Sequence, residues 1–259
     1  MTPAQLVSLG RPILAAYADS FLADPSTLDL SGLPETWKVL GILSGVDRDL
    51  VRNVPTVYGF VAARVSDSTI HVFINGTKTA IEWLEDAEFI PWQVPFLPAG
   101  CLAHKGFLDV YASLTVNGES LRDFLGNFKL YSPFFHGHSL GAALATLGAV
   151  ELGAWTPPEL GAHTLWASPR VFSAYAAYVV GGKTKPLLRL VNPRDAVPDL
   201  PPAILGFTHV GTEQGVAVTA VPKDPADPLN VKRNAHVLAN YLNALDPSIP
   251  VDEDSLPAT

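Results

Sequence analysis

The 259-residue chain is 48% hydrophobic and only 16% charged, with a net charge of −8, enough apolar content to close one large core and a fit to a single domain over residues 1–259. No block of Lys or Arg could track a phosphate backbone, so nucleic acid is not an expected partner. No stretch is apolar for long enough to span a bilayer, and a lone cysteine, Cys101, cannot form an internal disulfide.

The chain opens on Thr2 and Pro3, a helix cap and a first-turn proline, followed by Leu6, Leu9, Ile13, Leu14 and Tyr17 at helical spacing. An amphipathic first helix is expected. Arg11 ahead of PILAAYA resembles the basic and apolar regions of a signal peptide, but the apolar run is short and Asp19 follows at once. No convincing leader is read, which leaves a cytoplasmic protein or a secreted mature form lacking its leader.

TVYGFVAARV and TIHVFI, separated by SDS, are β-branched and aromatic runs that predict two strands joined by a turn. After Thr77 comes a mixed segment in which Ile81, Trp83, Leu84, Phe89, Ile90, Trp92, Val94, Phe96 and Leu97 alternate with Glu82, Glu85, Asp86 and Glu88. It reads as an amphipathic helix running into a Pro-rich apolar loop. GFLDVYASL and SLRDFLGNF have helical spacing, and LYSPFF is a short strand candidate.

FFHGHSLGAALA then sets Ser139 between Gly137 and Gly141, in the pattern G-x-S-x-G. A strand candidate before it and an alanine-rich helix after it supply the sharp strand-to-helix turn in which such a serine is held in a strained conformation. The plainer reading is a serine that merely caps a helix. Downstream, HTLWAS and LLRLVN predict buried strands around a helical VFSAYAAYVV, and NAHVLANYLNAL predicts one closing amphipathic helix. Strands alternating with helices imply a mainly parallel sheet covered on both faces, with function gathered beyond the carboxyl ends of the strands.

A serine hydroxyl needs a base to take its proton and a carboxylate to orient that base. The expected chain order is serine, acid, histidine. NPRDAVPDLPP offers Asp195, just past a strand, and Asp199 four residues on; Asp195 is preferred because a short loop aims its carboxylate inward. His209 in GFTHVGTE and His236 in KRNAHVLANY are the two histidines that follow. A loop-to-helix junction suits a general base better than the middle of a strand, which favours His236 and leaves His209 open.

Taken together, VFINGT, AHKGFLDVY, GHSLGAALATL, ASPRV, DAVPDLPP, FTHVGTE and AHVLANY resemble the successive motifs of the class 3 lipases, the α/β-hydrolase family that includes the filamentous-fungal lipases. The resemblance covers roughly residues 56–245. It implies an α/β-hydrolase fold, with a mainly parallel central sheet flanked by helices and a lid at about residues 78–98. It also implies Ser139 as nucleophile, Asp195 as acid and His236 rather than His209 as base, with an oxyanion hole from Thr77 and the Leu140 backbone N–H. Trp83, Phe89, Trp92 and Phe96 are then expected in the lid and acyl groove.

Three positions depart from the family: Asn75 stands in place of arginine, Ile74 in place of phenylalanine and Ala235 in place of aspartate. They put in question the packing of the oxyanion strand and the anchoring of the last helix. The activity implied is ester hydrolysis through an acyl-enzyme, with acylglycerols as substrates and transient contact with a lipid–water interface. Phospholipase A1 and feruloyl-type or short-chain carboxylesterase activity are alternatives on the same triad, and a lipid-binding protein that has lost catalysis is the non-enzyme alternative. The sequence lacks a zinc-hydrolase helix, an EF-hand loop and a phosphate-binding loop, and triad chemistry needs no metal, so no cofactor is expected.

Overall fold

The computed structural model describes residues 1–48, 53–76, 88–128, 133–153, 161–181 and 186–256. Their frame is a nine-stranded sheet. Five neighbouring strands run parallel: β13 (Thr212–Gly215), β11 (Leu187–Val191), β9 (His163–Trp166), β8 (Phe134–His138) and β3 (Ile70–Ile74). The sheet continues antiparallel through β2 (Asn53–Arg64), β1 (Trp37–Arg48), β6 (Thr115–Val116) and β7 (Glu119–Ser120). The strand pair expected from TVYGFVAARV and TIHVFI is β2 and β3, in register from Gly59↔Ile74 to Ala63↔Ile70.

Side-chain alternation splits the core into two layers. Val72, Ile74 and Phe135 point toward α3 (Lys105–Ala112) and α5 (Leu140–Leu152), whereas Phe60, Phe73 and Trp166 face α1 (Pro3–Ala15), α2 (Asp19–Ala23) and α8 (Leu238–Leu245). Because both faces are covered, every residue of β3 and β8 is buried. Helix α5 has no polar side over most of its length. Leu140 through Ala149 are all buried, as expected of a helix held between a sheet and α3. Smaller pieces complete the fold: α4 (Leu121–Gly126), α6 (Ala174–Val180), a sheet ordered β12 (Phe207–Thr208), β10 (Phe172–Ser173), β5 (Leu102–His104), β4 (Pro91–Gln93), and the pair β14 (Val221–Pro222) and β15 (Ser255–Leu256).

The first helix forms as its sequence predicts. Thr2 and Gln5 close a reciprocal capping box, and Leu6, Leu9 and Ile13 are buried in the core beside α8. Two expectations shift. LYSPFF becomes a strand only from Phe134 onward, and residues 129–132 lie outside the described ones. NAHVLANYLNAL is not one helix: α7 (Pro228–His236) ends at His236, Val237 is extended at φ −63° and ψ 138°, and α8 starts at Leu238.

Several histidines serve the core. His136 and His71 join across β8 and β3 at 2.9 Å, Thr164 bonds His136 at 2.7 Å, and Thr69 bonds His71 at 2.7 Å. Thr69 donates in turn to Asp67 at 2.6 Å, so a surface carboxylate ends a ladder of satisfied polar groups.

Ile13→Ala removes three buried side-chain carbons from the packing between α1 and the sheet and leaves a single methyl, and we expect the free energy of unfolding in urea to fall by about 2–5 kcal/mol. A loss below about 0.5 kcal/mol, the range of surface changes, would show that α1 is not part of the core.

Candidate active site

Ser139 sits at the turn from β8 into α5 with φ 58° and ψ −125°, a conformation that costs a non-glycine residue on the order of 1–3 kcal/mol. Its neighbours explain how the turn closes. A Cβ on Gly137 would lie 2.2 Å from the Gly141 carbonyl oxygen, and one on Gly141 would lie 2.3 Å from the Ile74 carbonyl oxygen. Only glycine lets the first turn of α5 press against the ends of β8 and β3. The Ser139 N–H donates to the Trp166 carbonyl at 3.0 Å, which ties the turn to β9.

The Ser139 hydroxyl lies 2.9 Å from His236 Nε2, and His236 Nδ1 lies 2.9 Å from Asp195 Oδ2. All three residues are buried. The carboxylate is held at both oxygens. The Tyr241 hydroxyl donates to Oδ2 at 2.8 Å, and the Val197 N–H donates to Oδ1 at 3.0 Å. Burial, with the Asp195 charge beside it, raises the Tyr241 pKa well above the usual phenol value, so Tyr241 stays a donor.

The break at Val237 gives His236 its place. In an unbroken helix its carbonyl would accept from the Asn240 N–H. Here that N–H turns to Val237 O at 3.2 Å, and the His236 carbonyl accepts instead from His138 Nε2 at 2.9 Å. The other His138 nitrogen accepts from the Tyr17 hydroxyl at 2.7 Å, and the same hydroxyl accepts from the Gly76 N–H. A phenol at the end of α1 thus joins the strand that precedes Thr77 to the segment that carries His236. Burial, reinforced by His236 alongside, holds His138 well below the usual imidazole pKa and so neutral.

Two of the three departures from the family pattern, Asn75 and Ala235, make bonds of their own. Asn75 is buried and its amide donates to the Ala16 carbonyl at 2.6 Å, anchoring the end of β3 to α1. The Asn192 side-chain amide donates to the Ala235 carbonyl at 2.8 Å and joins α7 to the residue that follows β11. The Asn192 N–H, in turn, donates to the Tyr241 hydroxyl at 2.9 Å. The sequence placed Tyr17 only on the apolar face of the first helix and gave His138, Asn192 and Tyr241 no part in the site, although GHSLGAALATL contains His138 and AHVLANY contains Tyr241.

Asp199 and His209 lie apart from the triad. Asp199 is on the surface, and His209 sits between β12 and β13 with Nε2 donating to the Pro198 carbonyl at 2.8 Å. Leu140 follows Ser139 as the first residue of α5, where a backbone N–H has no acceptor within its own helix. Thr77 and Trp83 lie outside the described residues. Phe89 packs edge-on to His104 at 5.8 Å, and Trp92 is an exposed residue of β4. Phe96 stands 6.1 Å from Tyr111 in a cleft of about 280 Å³ that also reaches Glu151, near the opposite end of α5 from Ser139. Among the described residues no group of three or more His, Cys, Asp or Glu is arranged to hold a metal ion, and no helix is long and apolar enough to cross a membrane.

Two outcomes are expected. Tyr241→Phe removes a donor to Asp195 and leaves the buried Asn192 N–H without its acceptor, so stability falls by about 1–3 kcal/mol in urea unfolding. An unchanged midpoint would contradict the assigned bonds. The second concerns pH. His104 and His209 are lowered by burial to about 4, and His138 well below 6.5. The unfolded chain protonates these rings as the pH falls through about 6.5 while the folded chain does not, so the unfolded state binds more protons there. Stability therefore declines from about pH 6.5 to 4, with each ring contributing a slope approaching 1.4 kcal/mol per pH unit. Asp67, lowered to about 2 chiefly by its hydrogen bonds to Arg64 and Thr69 against a desolvation penalty, adds its loss only at lower pH. Urea unfolding at several pH values checks this, and a flat profile across the window would refute it.

Comparison with known proteins places residues 71–205 in the family model "Lipase (class 3)". The chain is 35% identical to the lipase of Rhizomucor miehei over 190 residues, 69% of this chain and 51% of that one. It is 30% identical to the secreted mono- and diacylglycerol lipase 1 of Fusarium solani, over 81% of this chain and 62% of that one. A solved structure of the Rhizomucor miehei triacylglyceride lipase superposes with a TM-score of 0.59 at 26% identity, covering 82% of this chain and 78% of that one. The chain thus spans about half the length of the Rhizomucor relative's full sequence.

Proposed function

The chain belongs to the class 3 lipases, and from that premise we propose that it is a serine hydrolase that cleaves carboxylic esters, acylglycerols above all, through an acyl-enzyme. The observation that carries this reading is the buried hydrogen-bonded series Asp195–His236–Ser139, with both links at 2.9 Å. Ser139 Oγ attacks the ester carbonyl as its proton passes to His236 Nε2. The tetrahedral oxyanion is held by the Leu140 N–H and by Thr77, donors that can supply several kcal/mol of transition-state stabilisation. Collapse breaks the acyl–oxygen bond, and His236 gives its proton to the departing alcohol. Water, deprotonated by His236, then attacks the acyl-enzyme, releases the carboxylic acid and restores Ser139. Asp195 keeps Nδ1 protonated and stabilises the imidazolium in both halves of the cycle.

Residues 78–98 are assigned the lid, on the apolar and acidic pattern of that segment, with Trp83, Phe89, Trp92 and Phe96 as its apolar contacts to acyl chains or to lipid. Its glutamates and the net charge of −8 favour neutral lipid over anionic bilayers. Secretion, stated in the name of the Fusarium relative, fits a chain that works on lipid outside the cell.

The test is hydrolysis of p-nitrophenyl esters and of emulsified acylglycerols by the wild type and by Ser139→Ala. Wild-type turnover should fall by at least about 10³-fold in the variant while circular dichroism stays unchanged. Full hydrolysis by the variant would remove Ser139 from the mechanism. A preference for phospholipid over acylglycerol would transfer the reading to phospholipase A1.

A further inference from the structure

The sequence motifs ASPRV and FTHVGTE contain Arg170 and His209, neither of which touches the triad, yet both meet on one loop. Asp195 follows β11 and begins a turn in which Asp199 N–H bonds Ala196 O at 3.0 Å and Leu200 N–H bonds Val197 O at 3.0 Å. The turn then runs into Pro201 and Pro202. Prolines supply no N–H, so the carbonyls here have no sheet or helix to bond. Side chains and backbone from outside the loop take that place. His209 Nε2 donates to Pro198 O at 2.8 Å, and the Arg170 backbone N–H donates to Leu200 O at 2.7 Å. Arg170 Nη1 donates to Asp199 O and, at 3.0 Å, to Pro201 O.

Four consecutive carbonyls, from Pro198 to Pro201, are therefore held by two residues. The remaining Arg170 contact, Nη2 to Asp199 Oδ1 at 2.9 Å, involves a carboxylate that is 80% exposed and contributes little by itself. The carbonyl contacts are the ones that define the loop, and they call for the several rigidly oriented donors of a guanidinium.

We propose that Arg170 is a positioning residue for Asp195: with His209 it clamps residues 198–201, and so fixes the turn whose first carboxylate must meet His236. On its upstream side the Asp195 turn is held by the end of β11 and by the Tyr241 hydroxyl on Oδ2, and on its downstream side by this clamp, with the Asp195 Oδ1 to Val197 N–H bond between them. Releasing one end lets residues 196–200 move and takes the carboxylate out of line with Nδ1. A displacement of about 1 Å suffices to cost on the order of a hundredfold in rate.

The proposal rests on the role given above to Asp195, and its test separates the two. In Arg170→Gln, kcat for a soluble p-nitrophenyl ester should fall at least about tenfold with KM changed less than about twofold, because the loss is in transition-state stabilisation. The downfield proton resonance of His236 Nδ1–H, which reports its bond to Asp195 without any turnover, should shift upfield or disappear, while Ser139→Ala retains it. Should Arg170→Gln fail to fold, His209→Ala is the second variant: it loses one of the four contacts, and His209→Gln, which keeps a side-chain N–H donor, should restore both kcat and the resonance. A folded Arg170→Gln protein with wild-type resonance overturns the proposal, whether or not kcat falls. A wild type that hydrolyses no ester but shows the resonance change in the variant refutes the proposed activity and leaves the clamp standing.

Discussion

The close approach of α5 to the ends of β3 and β8 governs the rest of the site. A helix cannot begin there unless the chain turns within one residue, and that residue, Ser139, is held at a positive φ. The strain is tolerable because the surroundings leave no alternative. The first turn of α5 is buried against the sheet, and Gly137 and Gly141 occupy spaces in which a Cβ would strike a backbone carbonyl. Packing energy spread over the apolar length of α5 thus maintains a strained turn that exposes one hydroxyl to one imidazole.

Each partner of that hydroxyl is held by a different part of the fold. His236 is placed by the break between α7 and α8, which frees its carbonyl to accept from His138 and leaves its ring directed at Ser139. Asp195 is placed by the end of β11, by Tyr241 on α8 and by the loop that follows it. Tyr17 adds a link from α1 to Gly76, so elements from both ends of the chain converge on a few ångströms of space. Most of these bonds are buried and neutral. In such surroundings a missing partner is more costly than a formed bond is favourable, which explains why Asn, Tyr and His side chains beyond the Asp195–His236–Ser139 series crowd the site.

Legibility followed the range of the interaction. Ser139 could be read because its motif is local: two glycines, a strand before and a helix after. The first helix could be read for the same reason, through Thr2, Pro3 and the spacing of Leu6, Leu9 and Ile13. Asp195 and His236 could be ranked above Asp199 and His209 only weakly from the residues alone, and the family resemblance separated them. The break at Val237 was invisible, since no Gly or Pro marks it and the apolar spacing runs straight through. The carbonyl that the break frees, on His236, is taken up by a bond from His138, ninety-eight residues earlier in the chain.

The sequence by itself determined the alternation of strand and helix around the serine, the covered sheet, the serine turn and the set of side chains able to form a triad, because periodicity, glycine placement and capping act over a few neighbouring residues. Only the tertiary structure decided which polar atoms meet: Tyr241 with Asp195, Asn192 with Ala235, Asn75 with Ala16, Arg170 and His209 with the loop at 198–201. A hydrogen bond requires groups far apart in the chain to be placed to within a few tenths of an ångström. That accuracy comes from the packing of the whole core, and no local pattern records it.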